Sequence, residues 1–259
     1  METKTLTNKK IIITGASSGI GKAAAINLAK QGASLILVSR REELLQEVAQ
    51  EITSLGGSAQ WYTADLSKLE QIDELTSTIL SKNKTIDILI NNAGRSIRRP
   101  MVESLERFHD FERCMTINYF APVRLVRNLL PALQHAKNGH IINSSTWGTL
   151  LPASGFGPYN ASKIALDNFS NTLRMEMKDK GISVTQIHFP LVHTKMSGAT
   201  ESFKKLPGMS TEQAANWIAE AIEKKPREVM NTQTRLARFL YFIFPRFVEK
   251  KSLSSPFSI

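Results

Sequence analysis

Cysteine is almost absent from this 259-residue chain: Cys114 stands alone, which excludes an internal disulfide. The five histidines, His109, His135, His140, His188 and His193, lack the tight pairing that zinc favours, so no metal is expected. Met1 to Lys10 is polar, with no apolar stretch behind it resembling a signal sequence, and a cytoplasmic protein is expected. Low-complexity linkers and internal repeats are lacking too, and at 42% hydrophobic residues the chain is long enough to bury one large core. Acidic residues are the minority, 23 against 33 lysines and arginines, and the formal charge of +10 suits an anionic partner. Nucleic acid is disfavoured in that role, because the basic residues form no long block and no DNA-binding motif accompanies them. A dinucleotide, a CoA ester or an anionic membrane surface suits the charge as well.

Short apolar runs alternate with longer helical patterns, the mark of βαβ units around a parallel sheet. Strands are predicted at Lys10–Thr14, Ser34–Ser39, Ala59–Ala64, Ile86–Asn91, His140–Ser144 and Ser183–His188. Helices are predicted at Ile20–Lys30, Glu42–Leu55, Ser104–Leu133 despite Pro122, Tyr159–Lys178 and Thr211–Glu223. Right-handed crossovers make this a single-domain α/β fold of Rossmann type, a doubly wound and mostly parallel sheet with ligands at the carboxyl ends of its strands. His193–Ser210, rich in small and breaker residues, reads as a mobile substrate loop. The domain is expected to span residues 1–230, with 231–259 as an apolar and basic extension.

The first strand runs into Thr14-Gly15-Ala16-Ser17-Ser18-Gly19-Ile20-Gly21 and then a helix. Glycines let the backbone turn sharply beneath a pyrophosphate, whose charge meets the helix N-terminus. The second strand ends at Ser39-Arg40-Arg41, where a site selective for NAD carries an acid for the ribose hydroxyls. Arginine pairs instead with a 2′-phosphate, so NADP(H) is expected in preference to NAD(H), held chiefly by Arg40 with Ser39, Ser17 and Lys22 nearby.

Tyr159 and Lys163 stand four apart at the start of a helical pattern, on one face. A tyrosine with a pKa of about 10 is a poor proton carrier near neutrality, and an adjacent ammonium moves it towards working range. Ser145, at the end of the fifth strand, is placed to hydrogen-bond a carbonyl oxygen as negative charge builds on it.

Thr14–Gly21, Asp65-Leu66, Asn91-Asn92-Ala93-Gly94, Asn118, Ser144-Ser145 and Tyr159-Asn160-Ala161-Ser162-Lys163 together resemble the short-chain dehydrogenases/reductases, from Lys10 to about Val229. The resemblance implies an oxidoreductase with Asn118, Ser145, Tyr159 and Lys163 as its catalytic set. It also implies that Asp65 and Leu66 hold the adenine and that Asn92, Ala93 and Gly94 line the cofactor cleft. Asn118 would hold a water that links Lys163 to solvent, and Lys163 would bind the nicotinamide ribose. Val192 and Thr194 follow the sixth strand, Thr194 at the family's carboxamide-binding position, although Leu191 replaces the usual glycine. Ser145 lies fourteen residues before Tyr159 where the family has thirteen, and thirteen lands on Thr146. Ser145 is retained because Ser144-Ser145 and Gly148 follow the family pattern.

Residues 91–100, Phe108–Arg113 and His188–Val192 resemble the reductase domains of bacterial fatty acyl-CoA reductases. A lipophilic acyl or aldehyde substrate is expected, with steroids, 3-oxoacyl thioesters and simple ketones still open. Arg95, Arg98 and Arg99 would meet a CoA phosphate or merely solvate a loop. The rival reading is a protein that binds NADP(H) as a sensor or scaffold without turnover, since fold does not fix function. Arg235–Val248 concentrates aromatic and basic residues yet is too short to span a bilayer. It is expected to cover the substrate cleft, with a subunit contact or peripheral attachment to anionic lipid as alternatives. A homodimer or homotetramer is expected through the long helices at 104–133 and 159–178.

Overall fold

The computed structural model describes residues 5–253. Isoleucines at 11, 12 and 13 illustrate how the strands form: β-branched side chains suit an extended backbone, and alternate residues enter opposite faces of the sheet. Ile11 and Ile13 of strand β1 (Lys10–Thr14) pack against helices α1 (Gly19–Lys30) and α7 (Thr211–Lys224), whereas Ile12 joins the core beneath α3 (Leu69–Lys82) and α5 (Ala121–His135). All three isoleucines are fully buried. Truncating one to alanine would cost about 2–5 kcal/mol.

Strands β2 (Ser34–Ser39), β3 (Ser58–Thr63), β4 (Ile88–Asn91), β5 (His140–Thr146), β6 (Ser183–Phe189) and β7 (Glu228–Val229) complete a parallel sheet of order β3-β2-β1-β4-β5-β6-β7. The chain builds outward from β1 through β2 and β3, then returns to the other side of β1 with β4. That reversal opens a crevice above the carboxyl ends of β1 and β4, where doubly wound sheets bind ligands. Helix α2 (Glu42–Ser54) covers the same face as α1, and α6 (Gly157–Met177) covers the opposite face.

The predicted helix Ser104–Leu133 is broken in the structure. Residues 104–108 are not helical, α4 begins at His109 and ends at Met115, and a π-helical turn over Thr116–Phe120 leads into α5. Two local causes are visible. Ser104 Oγ donates to the Pro100 carbonyl, while Arg99 and Arg107 converge on the buried Asp110 carboxylate at 3.3 and 3.0 Å, fixing a compact turn. Pro122, which has no N–H, sits in the first turn of α5, where the widened ladder removes the need for one. Helix α3 and the two-residue β7 were not anticipated.

Beyond β7, α8 (Thr232–Ile243) and α9 (Pro245–Leu253) pack on each other. Asn231 caps α8 by accepting from Thr234 N at 2.7 Å, and Arg238 pairs with Glu228 of β7 at 2.9 Å. Among the described residues no helix is long and apolar enough to cross a membrane.

Candidate active site

The crevice is stitched open by one threonine. Thr14 Oγ1, at the end of β1, accepts from both Asn92 N and Ala93 N at 3.0 Å, and Asn92 Nδ2 donates back to the Thr14 carbonyl at 3.1 Å. The chain after β1 then turns through Gly15, at φ +68°, so close to the chain after β4 that a Cβ there would lie 3.0 Å from Ala93 Cα. A cavity of about 580 Å³ opens above.

At one end of the cavity, Ser17, Ser18, Ser39, Arg40 and Arg41 form a basic and hydroxyl-lined wall. Arg41 Nη2 donates to Ser17 Oγ at 3.1 Å and Ser18 Oγ at 2.8 Å, and the Ser17 and Ser39 hydroxyls lie 2.7 Å apart. The Ser18 side chain makes no capping bond to α1, so it does not compete for the N–H groups of the first turn. Asp65 accepts from Ser67 N and Oγ at 3.0 and 2.7 Å. Burial pushes its pKa up, but those bonds and the Arg40 charge outweigh it and hold the carboxyl below its usual value.

At the other end, Tyr159 and Lys163 lie one turn apart on α6. Lys163 Nζ donates to the Ser144 carbonyl at 2.7 Å, and burial pulls its pKa down to about 8 against the opposing Asp167 carboxylate. Burial pushes the Tyr159 phenol up to about 12, against a hydrogen bond with the Thr146 side chain. Near neutrality the tyrosine therefore holds its proton and most of the lysine is charged. Burial, not the lysine's ammonium, sets the direction for Tyr159, contrary to the tuning expected from the sequence.

The one-residue insertion before Tyr159 divides the work of two hydroxyls. Thr146 accepts from Gly148 N at 3.3 Å and bonds Tyr159. Ser145 Oγ lies on the cavity wall, buried and with no hydrogen-bond partner among the described residues. A buried hydroxyl left so costs about 1–3 kcal/mol, which a ligand oxygen would recover.

Comparison with known proteins follows the same lines. Residues 9–205 match the family model described as short chain dehydrogenase. The chain belongs to the short-chain dehydrogenase family. A fatty acyl-CoA reductase of Acinetobacter baylyi is 48% identical over 92% of this chain and 80% of its own length. A second protein of that name, from Mycobacterium tuberculosis, is 44% identical over 96% and 85%. Among solved structures, a metagenomic short-chain oxidoreductase in complex with NADP superposes with a TM-score of 0.76 at 27% identity, covering 87% of this chain and 97% of that one. A short-chain dehydrogenase from Streptomyces avermitilis gives 0.80 at 27%, covering 96% and 98%.

In this short-chain dehydrogenase the cavity gathers nearly every residue singled out in the sequence: Gly15, Ser17, Ser18, Gly19, Ile20, Ser39, Arg40, Asp65, Leu66, Asn92, Ala93, Gly94, Ser145, Tyr159, Lys163, Val192 and Thr194. Thr194 faces the phosphate turn, since a Cβ on Gly19 would touch its methyl at 3.3 Å. Gly21 lies behind the wall, where a Cβ would fall 2.3 Å from the Gly15 carbonyl oxygen. Asn118 is also behind it and fully buried: its side chain accepts from Arg95 N and donates to Arg95 O, both at 2.9 Å, and donates to Ser162 Oγ. Lys22 turns away to Glu51 at 2.8 Å and does not join the phosphate wall.

Sequence reasoning left out the apolar wall of Ile117, Trp147, Phe156, Met196 and Phe203. The Phe156 and Phe203 rings stack at 5.9 Å, and Phe156 meets Tyr159 edge-on at 6.4 Å. Phe203 sits inside the stretch expected to be a substrate loop, the only signal for it. No described residue beyond Phe203 lines the cavity, so the expected cover by the C-terminal segment is not found.

Proposed function

We propose that this oxidoreductase is an NADPH-dependent reductase of lipophilic carbonyl compounds, with a fatty acyl thioester or the derived aldehyde as its substrate class. The observation that carries the cofactor half is the pair Arg40 and Arg41 beside Ser17, Ser18 and Ser39, with Asp65, the carboxylate among the described residues that line the cavity, already engaged by Ser67. Guanidinium and hydroxyl donors suit a 2′-phosphate and repel no part of it. The glycine turn suits the pyrophosphate, because side chains at 15 or 21 would collide with backbone. NADP in a structural neighbour accords with this reading.

The nicotinamide would supply the hydride. Ser145 then anchors the carbonyl oxygen with its unpartnered hydroxyl and stabilises the charge that develops there. Tyr159, holding its proton near neutrality, delivers it to that oxygen. Lys163 is tied to the Ser144 carbonyl, which leaves two ammonium protons for the nicotinamide ribose. Asn118 locks the backbone of Arg95 on both sides and so holds the strand-end loop that forms the cleft wall.

The substrate half rests on the aromatic and aliphatic wall and on the resemblance to the two fatty acyl-CoA reductases. Of the three arginines expected to meet a CoA phosphate, Arg99 is taken by Asp110, and Arg98 lies 5.9 Å from each of the Phe156 and Phe203 rings. Arg95 lines the cavity and is assigned that contact; Arg113 lines it too, held at 3.9 Å from Asp110. The test is NADPH consumption with acyl-CoAs and aldehydes of increasing length: kcat/KM rising with chain length supports the reading, and a flat response removes the lipophilic substrate.

Homo-oligomerisation through the α5 and α6 region, which exposes Phe120, Ile164 and Met175, belongs to the same proposal. So does a role for α8 and α9 at a subunit or membrane contact, since Phe239 and Phe242 are exposed and away from the cavity.

A further inference from the structure

Three buried polar atoms without a hydrogen-bond partner among the described residues lie on the α6 side of the sheet: Ser145 Oγ, Asp167 Oδ1 and His188 Nε2. Ser145 and His188 are register partners on the adjacent strands β5 and β6, so their side chains leave the same face of the sheet. Asp167 follows Tyr159 and Lys163 at successive four-residue steps on α6, which stacks all three along that face. Its Oδ2 lies 3.7 Å from His188 Nδ1. The same ring nitrogen lies 3.2 Å from Thr149 Oγ1 and 3.4 Å from the Thr146 carbonyl, to which Thr149 donates at 2.9 Å. Thr146, in turn, bonds Tyr159. A continuous chain of polar contacts therefore runs from Asp167 through His188 to the turn that carries the tyrosine's partner.

We propose that Asp167 and His188 are positioning residues: a carboxylate–imidazole pair, the imidazole buried and the carboxylate largely so, behind the reacting groups, that fixes the Thr146–Thr149 turn and sets a negative charge beside Tyr159 and Lys163. The proposal rests on the reading of Tyr159 as proton donor. Buried polar atoms without partners cost stability, and a fold keeps them where the arrangement serves another end. The inserted residue before Tyr159 gives that end: the lengthened turn needs an anchor of its own, and His188 reaches both Thr146 and Thr149. Electrostatics agree, because the Asp167 carboxylate raises the pKa of both Lys163 and Tyr159, favouring the charged lysine and the protonated tyrosine together. Besides Asp167, the described titratable group that acts on both Tyr159 and Lys163 is Cys114 on α4, whose thiol burial pushes up to about 11 and keeps neutral; His188 on β6 faces Asp167 itself.

The test compares Asp167→Asn, Asp167→Glu and His188→Gln with the parent enzyme in kcat and kcat/KM from pH 6 to 10, beside NADPH affinity and thermal melting. Losing the Asp167 charge lowers the pKa of both groups, so the alkaline limb of kcat should move to lower pH by about one unit in Asp167→Asn. Asp167→Glu should restore it. His188→Gln should lower kcat several-fold with the limb in place and NADPH affinity unchanged. It carries the test if Asp167→Asn does not fold. An unmoved limb in folded Asp167→Asn, or unchanged kcat in His188→Gln, overturns the inference and leaves both residues merely structural. A fully active Tyr159→Phe would overturn the underlying reading itself. A dead Tyr159→Phe beside an unmoved Asp167→Asn limb overturns the inference alone.

Discussion

Replacing Arg40 and Arg41, singly and together, separates the two halves of cofactor recognition. A hydrogen bond to a charged group contributes about 1.5–3 kcal/mol, which is roughly a 10- to 150-fold change in affinity. Both arginines are exposed, so solvent and salt hold each contact near the low end of that range. Arg40→Ala should therefore weaken NADPH by about tenfold and the double variant by about a hundredfold, while NADH, lacking the 2′-phosphate, changes by less than about threefold. Arg41→Ala should also loosen the phosphate turn slightly through its bonds to Ser17 and Ser18, so its NADH loss should be the larger of the two singles. Fluorescence titration of both cofactors at two salt concentrations gives the four affinities, with the NADPH preference falling as salt rises. Equal losses for NADPH and NADH in the double variant would refute the reasoning and move the phosphate contact elsewhere.

Other variants probe the backbone, the buried charge and the tail. Gly21→Ala drives a methyl to 2.3 Å from the Gly15 carbonyl oxygen, so melting should fall by at least about 2 kcal/mol in stability and NADPH binding should weaken with it. Lys163→Met should abolish turnover yet stabilise the fold near neutrality by about 3 kcal/mol, the scale of moving a lysine from its ordinary 10.5 to about 8. The sign follows from proton count: the unfolded chain binds the extra proton between pH 8 and 10.5, so the native lysine's penalty is full below 8 and fades as pH rises through that window. Denaturant melts at pH 7 and pH 10 should show the gain at the first and little at the second. Truncation after Thr234 should leave KM unchanged for long and short substrates, because no described residue of the tail reaches the cavity. A raised KM confined to long chains would reinstate cleft cover.

Strands β1, β2 and β4 are legible in the sequence as short apolar runs whose alternate residues meet opposite cores, as Ile11, Ile12 and Ile13 do. The edge strand β3 has no buried residue and is legible through alternation, Ala59 and Trp61 meeting one core and Tyr62 the other. The phosphate turn and the Tyr159–Lys163 pair are legible because a local backbone demand and a local helical spacing specify them. What escaped depends on contacts distant in sequence. Leu105 and Phe108 look like part of a helix, but both are exposed, and the turn there is set by Arg99 and Arg107 meeting Asp110. β7 has only two residues, and its pairing to Gln186 and Ile187 gives it away in three dimensions alone. Asp167 and His188 sit 21 residues apart on different elements and share no motif. Lys22 lies beside the glycine turn in sequence, but Glu51, distant in sequence, draws it away.

The central claim, that Tyr159 protonates a lipophilic carbonyl oxygen in an NADPH-dependent reduction, is tested most directly by Tyr159→Phe. Removing one hydroxyl leaves the cofactor wall and the apolar wall intact. NADPH affinity should stay at the parent value while turnover of a long-chain aldehyde drops by about 10²- to 10⁴-fold, the range supplied by a positioned proton donor. Turnover within a few-fold of the parent, with NADPH still bound, would contradict the account.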